Sequence, residues 1–313
     1  MPDRLHSIIV PVYNSKETLP ILVDRLALVM GEAGLPFELI LVDDGSRDGA
    51  FEEIRRLAQQ HAFLRGFRLS RNFGHQAALT IGLQKSRGDV VAIIDDDLQD
   101  PPELLPEFFR RLEAGADVVY GTRRKRKEGV FRRLLYAAFY RVLGLLSTIR
   151  IPPDAGDFCA MNRRVVDAML QFVEANPFLR GIRSWVGFNQ VGLEYERAAR
   201  LQGESGYSMR KYIGFAMAGI LSFSYIPLRL AILLGLMTAL ACLIFACYVV
   251  FAWFSGAFNV PGYASLIVVI AFLGSMQLFC LGVIGEYLAR INDNARKWPV
   301  AVIAESTGAE DRP

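Results

Sequence analysis

The 313-residue sequence lacks several things that would have decided its class at once. It has only three histidines and four cysteines. The cysteines, Cys159, Cys242, Cys247 and Cys280, form no Cys-x-x-Cys pair, which argues against a zinc site or a disulfide framework, and all four read as reduced and structural. A net charge of +3, with no basic stripe interleaved with aromatics, gives no footprint for nucleic acid. The first residues are polar and the apolar run at Ile8 to Val12 is too short for the core of a signal peptide, so the amino-terminal part is expected to stay in the cytoplasm. No internal repeat or low-complexity tract appears. The largest absence is local: between Arg229 and Glu286 there is no charged residue at all.

That gap accounts for much of the 52% hydrophobic content. Within it, Leu228 to Phe254 and Tyr263 to Leu288 each exceed the about 20 apolar residues needed to cross a bilayer. Asn259, Pro261 and Gly262 mark a turn between them that carries no Lys or Arg. Arg210, Lys211 and Arg229 flank one side, and Arg290, Arg296 and Lys297 the other. The positive-inside rule then predicts a two-span hairpin in the inner membrane with both chain termini cytoplasmic. The expected division is a domain over 1–210, a juxtamembrane helix over 211–227, a hairpin over 228–290 and a tail over 291–313, disordered from Glu305 onward. A basic amphipathic segment over 130–146, with Phe131, Leu134, Leu135, Ala138, Phe139, Val142 and Leu145 on one side, reads as an interfacial helix rather than an ordinary surface helix.

The first 120 residues alternate apolar runs with helical patterns, which implies an α/β fold with a mostly parallel sheet covered on both faces. Three of the strands end in polar clusters: Pro11-Val12-Tyr13-Asn14, Val42-Asp43-Asp44-Gly45-Ser46, and Asp95 to Asp100. In such sheets the carboxyl ends of strands line the ligand crevice. Asn14 or Ser15 is expected to cap the first helix. Tyr13 could stack on a base, and Asp44 could accept from a base N–H or a ribose hydroxyl. Asp95, Asp97 and Gln99 alternate, so in an extended segment they would face one way. Oxygen donors of this kind suit Mg²⁺ or Mn²⁺ with substrate phosphates completing the shell. Trp185 to Val191 and Val191 to Arg197 read as strands. For His75, a packing or surface role is favoured over a ligand contact.

Val10-Pro11-Val12-Tyr13-Asn14, Leu41-Val42-Asp43-Asp44-Gly45-Ser46, Asp95-Asp96-Asp97-Leu98-Gln99-Asp100-Pro101-Pro102-Glu103 and Gly121-Thr122-Arg123 together resemble glycosyltransferase family 2. The nearest subgroup is that of the polyisoprenyl-phosphate glycosyltransferases, with dolichol-phosphate mannose synthase and bacterial members that carry a carboxyl-terminal membrane hairpin. The resemblance implies a GT-A (Rossmann-like) domain followed by two transmembrane helices. It implies that Pro11, Tyr13, Val42 and Asp44 hold the nucleoside, with Asn14 and Asp96 in the same nucleotide-sugar set. Asp95, Asp97 and Gln99 would bind the metal and diphosphate, and Arg123 would neutralise phosphate or acceptor charge. Asp157 matches an acidic residue beside the reacting sugar, and with Asp97 it forms the expected catalytic set. Arg200, Ser205 and Tyr207 match a late loop that closes over phosphate; relatives often carry Lys where this chain has Gly206.

The implied reaction is inverting transfer of a sugar from a nucleotide sugar to a polyisoprenyl (undecaprenyl) phosphate at the cytoplasmic membrane face. UDP-glucose is the favoured donor; GDP-mannose and a UDP-amino-arabinose are alternatives, and a homo-oligomer is compatible with the sequence. Two rival readings compete with it. A membrane-anchored nucleotide-binding scaffold would need neither Asp157 nor the Arg200 loop. A processive polysaccharide synthase would carry Gln-x-x-Arg-Trp, of which Arg183-Ser184-Trp185 is a fragment.

Overall fold

A computed structural model describes residues 4–123, 155–172, 177–196, 226–255 and 263–308. The chain divides into two units, one holding the amino-terminal residues together with 297–313, the other holding the two long apolar helices.

The first unit is built on an eight-stranded sheet. Its strands are β1 (His6–Val12), β2 (Phe37–Asp43), β3 (Leu64–Leu69), β4 (Val90–Ile93), β5 (Val118–Arg123), β6 (Ala155–Asn162), β7 (Gln190–Tyr195) and β8 (Ile303–Thr307). Their order across the sheet is β7-β5-β6-β4-β1-β2-β3-β8. β1 pairs in parallel with β2 and β4, β2 with β3, and β5 with β7. β6 runs antiparallel between β4 and β5, and β8 antiparallel along β3. The fold is therefore the expected α/β arrangement of GT-A type.

A parallel strand covered on both faces must be apolar at successive positions. Ile8, Ile9 and Val10 in β1, and Leu39 to Val42 in β2, meet that demand and are fully buried. Ile8, Val10, Leu39 and Leu41 face a core shared with helices α1 (Leu19–Glu32), α2 (Ala50–Gln60) and α4 (Leu105–Glu113). Ile9 points the other way, against α3 (His75–Lys85), where a Cβ on Gly82 would lie 2.3 Å from Ile9 Cγ2. Two short helices, α5 (Arg163–Leu170) and α6 (Leu179–Trp185), follow β6.

Four local expectations change. Helix α1 starts at Leu19 with Thr18 at its cap, not at Asn14 or Ser15. Asn14 instead takes a left-handed φ of 53° and ties its side chain to the loop after β2. Trp185 ends a helix rather than opening a strand, and a turn with positive φ at Gly187 and Phe188 leads into the single strand β7. Asp154-Ala155-Gly156-Asp157-Phe158 reads in the sequence as a polar turn before a short strand at Cys159, but Asp157 lies inside β6. The tail does not fray at Glu305, because Ile303–Thr307 pairs with β3. There the Glu305 carboxylate accepts from Arg55 at 2.7 Å and Arg68 at 3.2 Å.

The second unit contains α7 (Ile226–Phe254) and α8 (Tyr263–Ala295). Their apolar stretches, Leu228–Ala252 and Val268–Ala295, have mean hydropathies of 2.6 and 2.2 and are long enough to cross a membrane. The segment 130–146, the juxtamembrane residues up to 225 and the turn at Asn259, Pro261 and Gly262 lie outside the described residues.

Candidate active site

The site gathers where β1, β2 and β4 end. Pro11 lies opposite Val42, and Val12 opposite Asp43, so the first two polar clusters leave the sheet side by side. The loops that follow are stitched together. Asn14 N donates to Ser46 Oγ at 2.9 Å, and Arg47 N donates to Asn14 Oδ1 at 3.0 Å. Ser46 N donates to Asp43 Oδ1 at 3.0 Å, closing the turn around Gly45. A Cβ on Gly45 would sit 2.6 Å from the Arg71 carbonyl carbon, so only glycine lets the 71–74 loop approach.

Asp44 has a structural task as well as a candidate binding one. Its carboxylate oxygens accept from Phe73 N at 2.7 Å and Gly74 N at 2.9 Å. Burial pushes its carboxyl above the usual range, against the pull of those two amides. The Tyr13 ring is 49% exposed and free to meet a planar ligand, while its backbone N donates to Asp96 Oδ2 at 3.2 Å. Asp96 thus anchors the β1 loop to the stretch after β4.

That stretch is not extended. β4 ends at Ile93, and residues 96–97 form a turn in which Leu98 adopts φ 57° and buries its side chain in the core. Seating Leu98 inward while the acidic residues stay at the crevice requires a bend. Asp95, Asp97 and Gln99 therefore do not alternate along a strand face as expected; a turn sets their directions. Gln99 N donates to Asp97 Oδ1 at 3.1 Å, and the Gln99 side chain is buried. At the far end of the turn, Tyr195 Oη donates to Asp100 Oδ1 at 2.5 Å, pinning the acidic turn to β7.

Asp157 joins His75, expected in a packing or surface role, and Arg180, which no motif marked, in one charged cluster. His75 Nε2 lies 3.8 Å from Asp95 Oδ1 and 3.3 Å from Asp157 Oδ2. Arg180 grips Asp157 with two bonds, Nε to Oδ1 at 2.7 Å and Nη2 to Oδ2 at 2.9 Å. Burial alone would raise the Asp157 carboxyl, but Arg180 and His75 outweigh it and hold the group well below the usual carboxylate range. For His75, burial works against the charge, yet the hydrogen bond to Asp157 and the charges of Asp95 and Asp157 raise it to about 9. Asp95 is pushed up to about 7 by burial, with Asp100, Asp157 and Asp97 adding to that push and His75 opposing it. Arg180 had no spacing signal of its own; only the fold brings the first turn of α6 within reach of Asp157.

Among the described residues no three His, Cys, Asp or Glu side chains already stand as a metal cage. The donors nonetheless fit a hard cation of the Mg²⁺ or Mn²⁺ type, which is commonly held by one or two carboxylates with substrate phosphates filling its shell. Asp95 and Asp97 would be the carboxylates for such an ion; Asp95 is raised chiefly by burial, with the neighbouring carboxylates adding to it. Arg123 closes β5 opposite Tyr195 in the register. Arg200, Ser205 and Tyr207 lie outside the described residues, as do Gly206, Arg210 and Lys211.

Residues 7–170 match Glycosyl transferase family 2, and residues 226–291 match the GtrB C-terminal hairpin. The uncharacterized glycosyltransferase YkcC of Bacillus subtilis is 40% identical over 98% of this chain and 95% of its own. The uncharacterized glycosyltransferase sll0501 of Synechocystis is 39% identical over 98% of this chain and 97% of its own. The SfII prophage-derived bactoprenol glucosyl transferase of Shigella flexneri is 36% identical over 96% of this chain and 97% of its own. The chain thus matches these relatives along nearly their full length, and it belongs to glycosyltransferase family 2, as a membrane-associated glycosyltransferase.

Proposed function

We propose that the protein transfers glucose from UDP-glucose to a polyisoprenyl phosphate, with inversion at the anomeric carbon, at the cytoplasmic face of the inner membrane. The observation that carries the reading is Asp157, kept as a carboxylate by Arg180 beside the acidic turn and the nucleoside-side loops. Relatives named bactoprenol glucosyl transferase, 36% identical over most of the chain, support glucose and a polyprenyl acceptor.

Tyr13, Asn14, Asp44 and Asp96 would shape the nucleoside end of the crevice, with the buried Pro11 and Val42 supporting it from within the sheet. Asp95 and Asp97, with Gln99 adjoining, would hold a divalent cation that offsets charge on the departing nucleoside diphosphate. A phosphate acceptor is already ionised near neutral pH, so the attack needs no strong base. This suits Asp157, whose depressed pKa makes it a poor proton acceptor and a good fixed negative charge. Placed near the anomeric carbon, it would stabilise the positive character of an oxocarbenium-like transition state and orient the sugar. Arg123, Arg200, Ser205 and Tyr207 remain assigned to phosphate by the family resemblance.

The orientation has support of its own. The chain leaves the sheet domain before α7 and returns to it as β8, so the two ends of the hairpin belong to one folded unit. A polypeptide that departs from and rejoins one unit on one side of a bilayer must cross an even number of times, as a hairpin does. Arg229, Arg290, Arg296 and Lys297, flanking the hairpin, support the cytoplasm as that side.

The test is to incubate membranes containing the protein with polyprenyl phosphate and a panel of labelled nucleotide sugars. Glucolipid from UDP-glucose, lost on treatment with a chelator, is expected. Label from GDP-mannose or a UDP-amino-arabinose alone would replace the sugar, and no glycolipid from any donor would overturn the reading in favour of a nucleotide-binding scaffold.

A further inference from the structure

Two pairs of adjacent residues close a ring around Asp157. On one side, His75 and Gln76 open helix α3; on the other, Leu179 and Arg180 open helix α6. His75 Nε2 stands 3.3 Å from Asp157 Oδ2, and Arg180 binds both Asp157 oxygens at 2.7 and 2.9 Å. The ring is completed by Gln76, whose Oε1 accepts from Leu179 N at 2.9 Å. Gln76 is thus bonded to the residue directly before Arg180, and His75, directly before Gln76, touches the carboxylate that Arg180 holds. Asp157 itself is 9% exposed, so water contributes little to setting its direction.

We propose that Arg180 is a positioning residue for Asp157 and that Gln76 is the latch that sets the start of α6 so that Arg180 can reach it. The proposal rests on the role given to Asp157 above. Its physical basis is the planar fork. Two parallel N–H bonds fix both the place and the plane of a carboxylate, which a single ammonium cannot do. A fixed charge acts on a developing positive centre only if it stays where that centre forms, and displacement by about an ångström costs on the order of 10²-fold in rate. The α6 helix is short, with seven residues. It has little cooperative stiffness of its own, so its first turn relies on outside bonds such as the one to Gln76.

The experiment uses the full-length protein in detergent or membranes. Arg180→Ala should lower kcat by about 10²-fold while the donor KM stays within about threefold, because the nucleoside loops are untouched. Arg180→Lys, which keeps the charge and loses the fork, should fall between the two. Free guanidinium should restore about tenfold of the lost rate in Arg180→Ala and methylammonium should not, a pattern that a merely structural role would not give. Gln76→Leu should lower kcat by about tenfold with unchanged donor KM. Should Arg180→Ala fail to fold, the Arg180→Lys and Gln76→Leu variants decide. Wild-type kcat in Arg180→Lys and Gln76→Leu, or equal response to guanidinium and methylammonium, would overturn the proposal. An experimental structure of Arg180→Lys provides an arm independent of turnover: a displaced Asp157 carboxylate supports the proposal, and an unmoved one overturns it. If the wild type forms no glycolipid, the assigned reaction fails while this structural arm still judges the ring.

Discussion

Replacing Tyr195 by Phe removes one oxygen and nothing else. That oxygen donates to Asp100 Oδ1 at 2.5 Å, with Tyr195 5% and Asp100 1% exposed, so water cannot easily take its place. Phenylalanine fills the same space and keeps the edge contact with Phe158 at 5.6 Å between ring centres, so no cavity is added. The cost is then that of a hydrogen bond to a charged acceptor, about 1.5–3 kcal/mol. At about 2–4 °C per kcal/mol for a domain of this size, Tyr195→Phe should melt about 3–12 °C below wild type. A thermal melt of the detergent-solubilised full chain, followed by intrinsic fluorescence, reads this directly. Because Asp100 ends the turn that begins at Asp95, the same variant should also bind Mn²⁺ more weakly in a titration with the nucleoside diphosphate. A melting point within about 1 °C of wild type would refute the claim that β7 anchors the acidic turn.

Gly82→Ala forces a Cβ to within 2.3 Å of Ile9 Cγ2 in a fully buried contact, and overpacking of this kind should lower stability by about 1–3 kcal/mol in a denaturant titration. His75 is raised from 6.5 to about 9 on folding, so its stabilising contribution is fully present below pH 6.5 and fades as the pH rises through about 9. His75→Gln should accordingly be less stable than wild type at pH 6 and should approach it by pH 10, as melting curves at both pH values would show. Asp97→Asn should lose transfer by about 10²-fold or more, and wild-type turnover of that variant under saturating Mg²⁺ would remove Asp97 from the metal assignment.

The sheet was largely legible because a parallel strand buried on both faces announces itself as an unbroken apolar run, as at Ile8-Ile9-Val10 and Leu39-Ile40-Leu41-Val42. The polar clusters at the strand ends were legible for the same reason: each begins where such a run stops. Contacts between distant segments were not. Arg180 and Asp157 lie 23 residues apart, with neither repeat nor spacing to link them, and only the folded chain brings the two side chains together. His75 was read as a packing or surface residue because a lone histidine after a glycine carries no partner in its own neighbourhood. The acidic turn misled in another way. Alternation was a sound rule for a strand, but β4 ends at Ile93, and the buried Leu98 at φ 57° shows that the core claims a side chain in the middle of the acidic stretch. The tail looked too polar to order, yet a strand needs only a free edge, and β3 offers one.

That returning strand has a practical consequence. The usual way to obtain a water-soluble enzyme from a chain with terminal membrane helices is to stop translation before the first of them. Here that choice also discards Ile303–Thr307 and lays bare the outer edge of β3, including Gly66, whose close neighbour Thr307 would be gone. An open strand edge recruits other chains, so such a shortened protein should precipitate through β3 even though its apolar helices are absent. Excising only 226–296 and rejoining the chain through a flexible linker would keep the edge covered. Solubility of a helix-free version would thus turn on Ile303–Thr307, far in sequence from the strand ends of the candidate site.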